Sequence, residues 1–189
     1  MKYSDLDENG VVDQNDITQI GKSVYPEWYY SFGGKIGFKG FDLEVLFQGA
    51  AGASVNLLDN WNQTVAFVNN GNAYEIAKGA WAYYPTEGID TRATARYPRL
   101  TTQSNENNYQ TSSMWIKSAD YLKLRNLELG YNFNTIKLQK AGIENLRIYL
   151  SGHNLATFSG LLKHYNLDPE RISGYPTVRS YNVGVSITF

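Results

Sequence analysis

Asp5, Asp7, Asn9, Asp13 and Asp16 set five side-chain oxygen donors within one twelve-residue stretch, the densest concentration of ligand chemistry in the chain. Counted from Asp5 they fall at loop positions 1, 3, 5, 9 and 12, with Gly10 at position 6 and the backbone carbonyl of Val11 at position 7. That is the spacing of an EF-hand-type loop. Ca2+ takes six to eight hard oxygens, and the glycine permits the sharp turn that brings alternate carboxylates onto one point. Asp16 stands where a longer Glu is usual, as in dockerin-type loops, which shortens the reach. The expected Ca2+ ligands are therefore Asp5, Asp7, Asn9, Val11 through its carbonyl, Asp13 and Asp16. The plain alternative is a solvated run of Asx turns that holds no ion.

No other constellation suggests chemistry. The chain has no Cys, and its two His residues, His153 and His164, stand apart from any Ser/Asp or metal-ligand spacing. Acidic residues are scattered, no Gly-rich phosphate loop follows a strand, and no nucleophile elbow is present. A non-enzyme is expected. A formal net charge of −1 without a basic run predicts no nucleic-acid partner. No apolar run approaches the ~20 residues of a membrane helix. Met1 is followed by Lys-Tyr-Ser-Asp-Leu-Asp rather than a signal peptide, so an exported protein is expected to begin upstream of it.

The elements that position the loop are strands. From Arg179 to Phe189 the residues alternate strictly, with Tyr181, Val183, Val185, Ile187 and Phe189 on one face and Ser180, Asn182, Gly184, Ser186 and Thr188 on the other. This length matches the ~9–11 residues with which a tilted strand crosses a bilayer. Four further segments repeat the pattern. Phe32, Gly34, Ile36 and Phe38 lead through the turn Lys39-Gly40 into Phe41, Leu43, Val45 and Phe47, a hairpin. Leu127, Leu129, Tyr131 and Phe133 form the next row, and Leu146, Ile148, Leu150 and Gly152 the fourth. Leu122 and Leu124 have the opposite parity to Leu127, which places Lys123 and Arg125 on the apolar side unless a bulge lies near Arg125-Asn126.

The connections divide the chain into a loop with the Ca-type motif (1–27), a hairpin (28–51), a long loop (52–114), a second hairpin (115–158), a loop (159–178) and a final strand (179–189). Short turns and long loops alternate between the two rims, which is how outer-membrane barrels sort them. Phe38, Phe41, Tyr131, Phe133 and Phe189 fall at the short-turn rim. Trp28, Tyr29 and Tyr30, preceding the first strand, together with Trp115 and Tyr181, fall at the other, so that two aromatic girdles are expected. Inside the long loop, Asn72 and Glu75 have capping-box spacing before an alanine-rich run, which predicts a short helix around 73–83, with Gly79 against it. The fold class expected is all-β: about the last five strands of a larger antiparallel transmembrane barrel, forming an open curved sheet in isolation, with one short helix in a long extracellular loop.

Several segments carry a resemblance when taken in order. They are Asp5 to Asp16, Gly37 to Leu43, Phe47-Gln48-Gly49, Ala95-Arg96-Tyr97-Pro98-Arg99, Asp120 to Leu127, Leu129-Gly130-Tyr131, Asn145 to Tyr149, Ser151 to Leu155, Leu167-Asp168-Pro169-Glu170 and Tyr175-Pro176. Together they resemble the C-terminal end of SusC/RagA-type TonB-linked (TonB-dependent) outer-membrane proteins of Bacteroidota, over nearly the whole chain. His153 stands where that family often has Gln. The resemblance implies a barrel in the cell outer membrane, in contact with its lipid, that imports oligosaccharides or peptides beneath a SusD-like lipoprotein. Energy would come through TonB, which contacts an N-terminal part not present in this sequence. It also implies that the row Tyr181, Val183, Val185, Ile187 and Phe189 is the signal read by the barrel-assembly machinery. The competing expectation is a secreted calcium-stabilised β-sandwich that binds carbohydrate through exposed aromatics such as Trp61 or Trp81. A buried Tyr181-to-Phe189 row would favour it.

Overall fold

The computed structural model describes residues 1–133, 136–140 and 142–189. Five strands form one antiparallel sheet in chain order: β1 (Trp28–Phe38), β2 (Phe41–Ala51), β3 (Tyr121–Phe133), β4 (Asn145–Ser159) and β5 (Ser180–Thr188). β1 and β5 are its two edges, so the sheet is open. Lys39 and Gly40 both take positive φ, 48° and 88°, as a two-residue turn between twisted strands requires.

Cross-strand register turns the alternation into continuous stripes. Ile36, Leu43, Leu129, Leu150 and Val183 pair in one row, and Phe38, Phe41, Tyr131, Ile148 and Val185 in the next. The opposite face carries Lys35, Glu44, Glu128, Ser151 and Asn182 in register. The apolar stripes are bare: Ile36 is 70% exposed, Leu150 56% and Val183 75%. The row of the final strand is exposed from Tyr181 to Phe189, which is the opposite of what a sandwich core demands.

The bulge lies where the parity conflict places it. Leu46 pairs with Asn126 and Phe47 with Leu124, leaving Arg125 as the extra residue, and the pairing with β4 shifts at the same point. One inserted residue moves everything before it to the other face. Leu122 and Leu124 thereby join the apolar side, while Lys123 pairs between Gln48 and Thr157 on the polar side.

The hydrophobic core lies off the sheet, in the long loops. Ala53, Val55, Leu57, Val65, Ala66, Val68, Ala77, Tyr97, Tyr109, Trp115, Ala119 and Leu161 pack into one cluster. They come from the 52–119 region and from the helix Gly160–Tyr165, so these loops form a cap lobe at one rim. The pair Ser54–Asn56 with Ile116–Ser118 carries β2 and β3 up into that lobe.

Three sequence expectations change here. Trp115 is 1% exposed at the centre of the lobe and is no part of a girdle, because its indole N–H needs a partner and finds the Asn108 carbonyl at 3.0 Å. Trp28, Tyr29 and Tyr30 lie inside β1 rather than before it. The helix around 73–83 contracts to one 3-10 turn, Glu75–Gly79, with Tyr74 as its N-cap and no side-chain cap. The Gly79 carbonyl accepts from Arg96 and Tyr97, and the Trp81 N–H donates to Tyr97, so backbone groups that would extend the helix bond across the lobe instead. It is also one of several short helices, which include Leu57–Asn60, Trp61–Thr64 and Ile136–Lys140. Asn134, Thr135 and Ala141, within the connection expected over 134–144, lie outside the described residues.

Candidate functional site

The polar face of the sheet carries two charge clusters at different heights. Near the short-turn rim, Arg147 of β4 donates to both oxygens of Asp42 on β2, with the Nε contact at 3.0 Å, and to Glu128 of β3 at 2.7 Å. Asn132 adds a bond to Asp42 at 2.8 Å. The guanidinium lies over Gly130, where a Cβ would collide with it and with Asp42. One planar donor thus ties three adjacent strands, which a point-charge lysine could not do equally well.

The second cluster joins the sheet to the loop after β4. Lys123 has no measurable exposure, a cost that burial imposes unless the ammonium is fully partnered. It is: Asp168 accepts at 2.8 Å, Glu170 at 2.6 Å and the Thr177 hydroxyl at 3.3 Å. Arg125, displaced onto this side by the bulge, bonds Gln48 at 2.8 Å, Asn154 at 2.8 Å and Glu170. The Tyr121 hydroxyl donates to Glu170 at 2.7 Å. Asp168 also receives the backbone N–H groups of Glu170 and Thr177 at 3.0 and 2.9 Å. Burial opposes the charge on Asp168, yet the bonds from Lys123 and Thr177 outweigh it and hold the carboxyl at about 2. Beside this cluster a cleft of about 720 Å3 opens between the loop after β4, the lobe and the sheet, lined among others by Tyr25, Tyr29, Asn56, Asp59, Glu170 and Arg171.

At the N-terminus, Asp5, Asp7 and Asp16 each bring a carboxylate oxygen within 4.8 Å of the others. Asp5 accepts the Gly10 N–H at 2.7 Å, and Asp16 accepts the Asp13 N–H at 2.7 Å and the Leu6 N–H at 2.5 Å. The Asp13 and Leu6 amides hold the Asp16 carboxyl below its usual range. Glu8 and Gly10 take positive φ, giving the sharp reversal anticipated at that glycine. Asn9 bonds Asp7 at 2.9 Å. Asp13 is directed elsewhere: its side chain caps the turn Gln14–Asp16 through the Asn15 N–H at 2.7 Å.

No protein-family model matches the chain. Among characterised proteins, TonB-dependent receptor P3 of Formosa agariphila is 27% identical over 99% of this chain and 19% of its own length. TonB-dependent receptor P26 of the same organism is 24% identical over 100% of this chain and 19% of its own. A solved structure of the RagAB peptide transporter superposes with a TM-score of 0.67 at 25% identity, over 95% of this chain and 19% of that one. Over nearly its whole length the chain is similar to a piece of a SusC/RagA-like TonB-dependent receptor. A structure of the RagAB peptide importer in its open-open state matches equally, with a TM-score of 0.66. This chain spans 19% of the length of these receptors.

What sequence reasoning overlooked is that the residues of the second cluster meet, although Lys123 and Arg125 stand out by their parity. Asp120 to Leu127 and Leu167 to Glu170 were legible as family segments, but their mutual contact was not, because Lys123 and Asp168 are 45 residues apart. The available signal was Lys123 itself, a cation between two apolar residues of a strand. Tyr97, within Ala95 to Arg99, was another omission: its hydroxyl accepts the Ala66 N–H at 3.0 Å and donates to the Thr64 carbonyl at 2.7 Å, closing the lobe.

Proposed function

We propose that this chain is part of an importer in the outer membrane that takes up peptides or oligosaccharides together with a SusD-like lipoprotein and draws energy through TonB. The observation that carries the reading is the sheet's two-sidedness: unbroken apolar stripes exposed to the outside, and charged side chains paired along the inside. Stripes of this size have no place on a soluble surface, whereas lipid covers them at no cost. The RagAB relatives are a peptide importer by name, which favours peptides as cargo. The cap lobe, rich in exposed aromatics such as Trp81 and Tyr84, is the surface assigned to the lipoprotein. The apolar row Tyr181, Val183, Val185, Ile187 and Phe189 is assigned to lipid contact and to recognition by the assembly machinery.

The test is a pair of substitutions in the whole receptor. Leu129→Arg puts a cation in the middle of an apolar row and is expected to cost ~2–4 kcal/mol at the bilayer midplane, seen as loss of folded receptor from outer-membrane fractions. Asn182→Arg, on the opposite face, is expected to leave the yield unchanged. Equal yields of the two variants would overturn the reading.

The N-terminal loop is proposed to hold Ca2+. Three carboxylates converging on a reversed turn are the hard-oxygen donor set the ion takes, and Asp5, Asp7 and Asp16 would supply them, with Asn9 and the Val11 carbonyl completing the set and Asp13 acting through water. Bound Ca2+ would fix residues 1–16 against the lobe, to which Tyr3 is tied through the Asn107 carbonyl at 2.5 Å. Calorimetry is expected to register Ca2+ binding that Asp7→Ala abolishes. At a hundred times Kd the gain in stability of this segment should be ~2.7 kcal/mol. A titration without heat on the folded receptor would refute the site.

A further inference from the structure

We propose that residues 166–178 form a strap locked onto the polar wall of the sheet by Lys123, and that this lock, rather than packing, sets the wall of the adjoining cleft. The inference rests on the polar face being the inner wall of the barrel.

The strap has two differently held sides. Toward the lobe, Leu167 and Ile172 pack against the hydrophobic cluster. Toward the sheet it is tied by polar contacts. Asp168 gathers its two limbs, receiving the N–H of Glu170 from one and the N–H and hydroxyl of Thr177 from the other, at 3.0, 2.9 and 2.6 Å. Lys123 then ties both limbs to β3 from a position wholly shielded from solvent. Asn154 of β4 adds one bond to the Val178 carbonyl at 3.2 Å. Between these ties Gly174 takes φ 88° and Tyr175 is 83% exposed, while the Ile172 carbonyl accepts from the Asn60 side chain of the lobe at 2.7 Å. Residues 169–173 of the same strap line the 720 Å3 cleft, so the position of the lock fixes the width of the cleft. Remove the ammonium and two carboxylates face each other with only Arg125 to balance them. The wall side should then swing out about the apolar anchors.

Acid should release the same lock. The charged or titratable groups at the contact are Asp168 and Glu170 on the strap and Lys123, Arg125 and Tyr121 on β3; Gln48 of β2 and Asn154 of β4 are neutral. Both carboxyls lie below their ordinary values, Asp168 at about 2 against 3.8. Carboxyls depressed in the folded state contribute above their unfolded values and lose that contribution as the pH falls through the folded ones. The strap should therefore be closed above about pH 4 and open as the pH approaches 2.

Hydrogen exchange on the whole receptor in detergent reads this residue by residue. In Lys123→Met the amides of Glu170 and Thr177 are expected to exchange at least tenfold faster, with β3–β4 ladder amides within twofold of the parent. Lys123→Arg should restore most of the protection. Asp168→Asn, which keeps the shape and removes the charge, should open the strap as well, and lowering the pH from 5 to 2.5 should do so in the parent after correction for intrinsic rates. Unchanged strap amides in both Lys123→Met and Asp168→Asn would overturn the lock. So would loss of protection spread equally over β3 and β4 in both variants, since strap and wall would then be one unit. Exchange does not depend on transport, so failure of the lock is distinguishable from failure of the importer reading.

Discussion

Trp115→Ala is expected to loosen the cap lobe by ~3–5 kcal/mol while leaving the five-stranded sheet intact. The indole is 1% exposed and packs edge-on against Tyr97 at 5.7 Å and tilted against Tyr109 at 5.8 Å. Its removal empties the centre of the lobe's apolar cluster and leaves the Asn108 carbonyl without its 3.0 Å donor. Its backbone also holds the lobe, the carbonyl accepting the Leu57 N–H at 3.0 Å, so collapse around the void would have to move the chain on both sides. Arg92, Arg96 and Arg99 sit at exposed positions of the lobe and serve as reporters. Trypsin should cut after them at least a hundredfold faster in Trp115→Ala, and by an intermediate factor in Trp115→Phe, with β3 and β4 still protected. Unchanged cleavage would mean that the lobe is held by its hydrogen-bonded turns and not by its aromatic centre.

The contrast between lobe and sheet explains what the sequence could disclose. A strand with one apolar and one polar face writes its orientation every second residue, so the hairpin over 31–48 and the last strand were readable residue by residue, though not the start of β1 at Trp28. Even the bulge could be inferred near Arg125-Asn126, because Leu122 and Leu124 contradict the parity of Leu127, and the register places the extra residue at Arg125. In the lobe no period exists. Trp115 and Tyr97 look like rim aromatics in a polar loop, and nothing local announces that they meet. The alanine-rich run after Asn72 suggests a helix on propensity alone, and long-range bonds from Arg96 and Tyr97 to Gly79 override it. The strap was hidden for a related reason: a salt bridge between distant segments leaves one residue at each end and no pattern between them. The acidic loop is intermediate. Asp5, Asp7 and Asp16 do lie together, but Asp13 has a competing use as a helix cap that spacing does not reveal.

The same distinction predicts the effect of Arg147→Leu. Opposite the bare apolar face, this guanidinium cross-links β2, β3 and β4 through ion pairs, by way of Asp42 and Glu128. The Asp42 side chain is 10% exposed and that of Glu128 22%, so water replaces the arginine poorly at the first and better at the second. Truncating one member of such an ion cluster leaves the other charges uncompensated, and the partial exposure of Glu128 moderates the loss. Gly130 sharpens the effect: it keeps the space that the guanidinium fills, and leucine is too short and too apolar to occupy it beside two carboxylates. The folded receptor should therefore unfold at lower urea in a gel-shift assay of heat-modifiable mobility. Adding Asp42→Asn to Arg147→Leu should recover part of the loss, because the amide still accepts from Asn132 and no longer repels Glu128. If the double variant is no more stable than the single one, the arginine acts by filling the space over Gly130 and not by its charge.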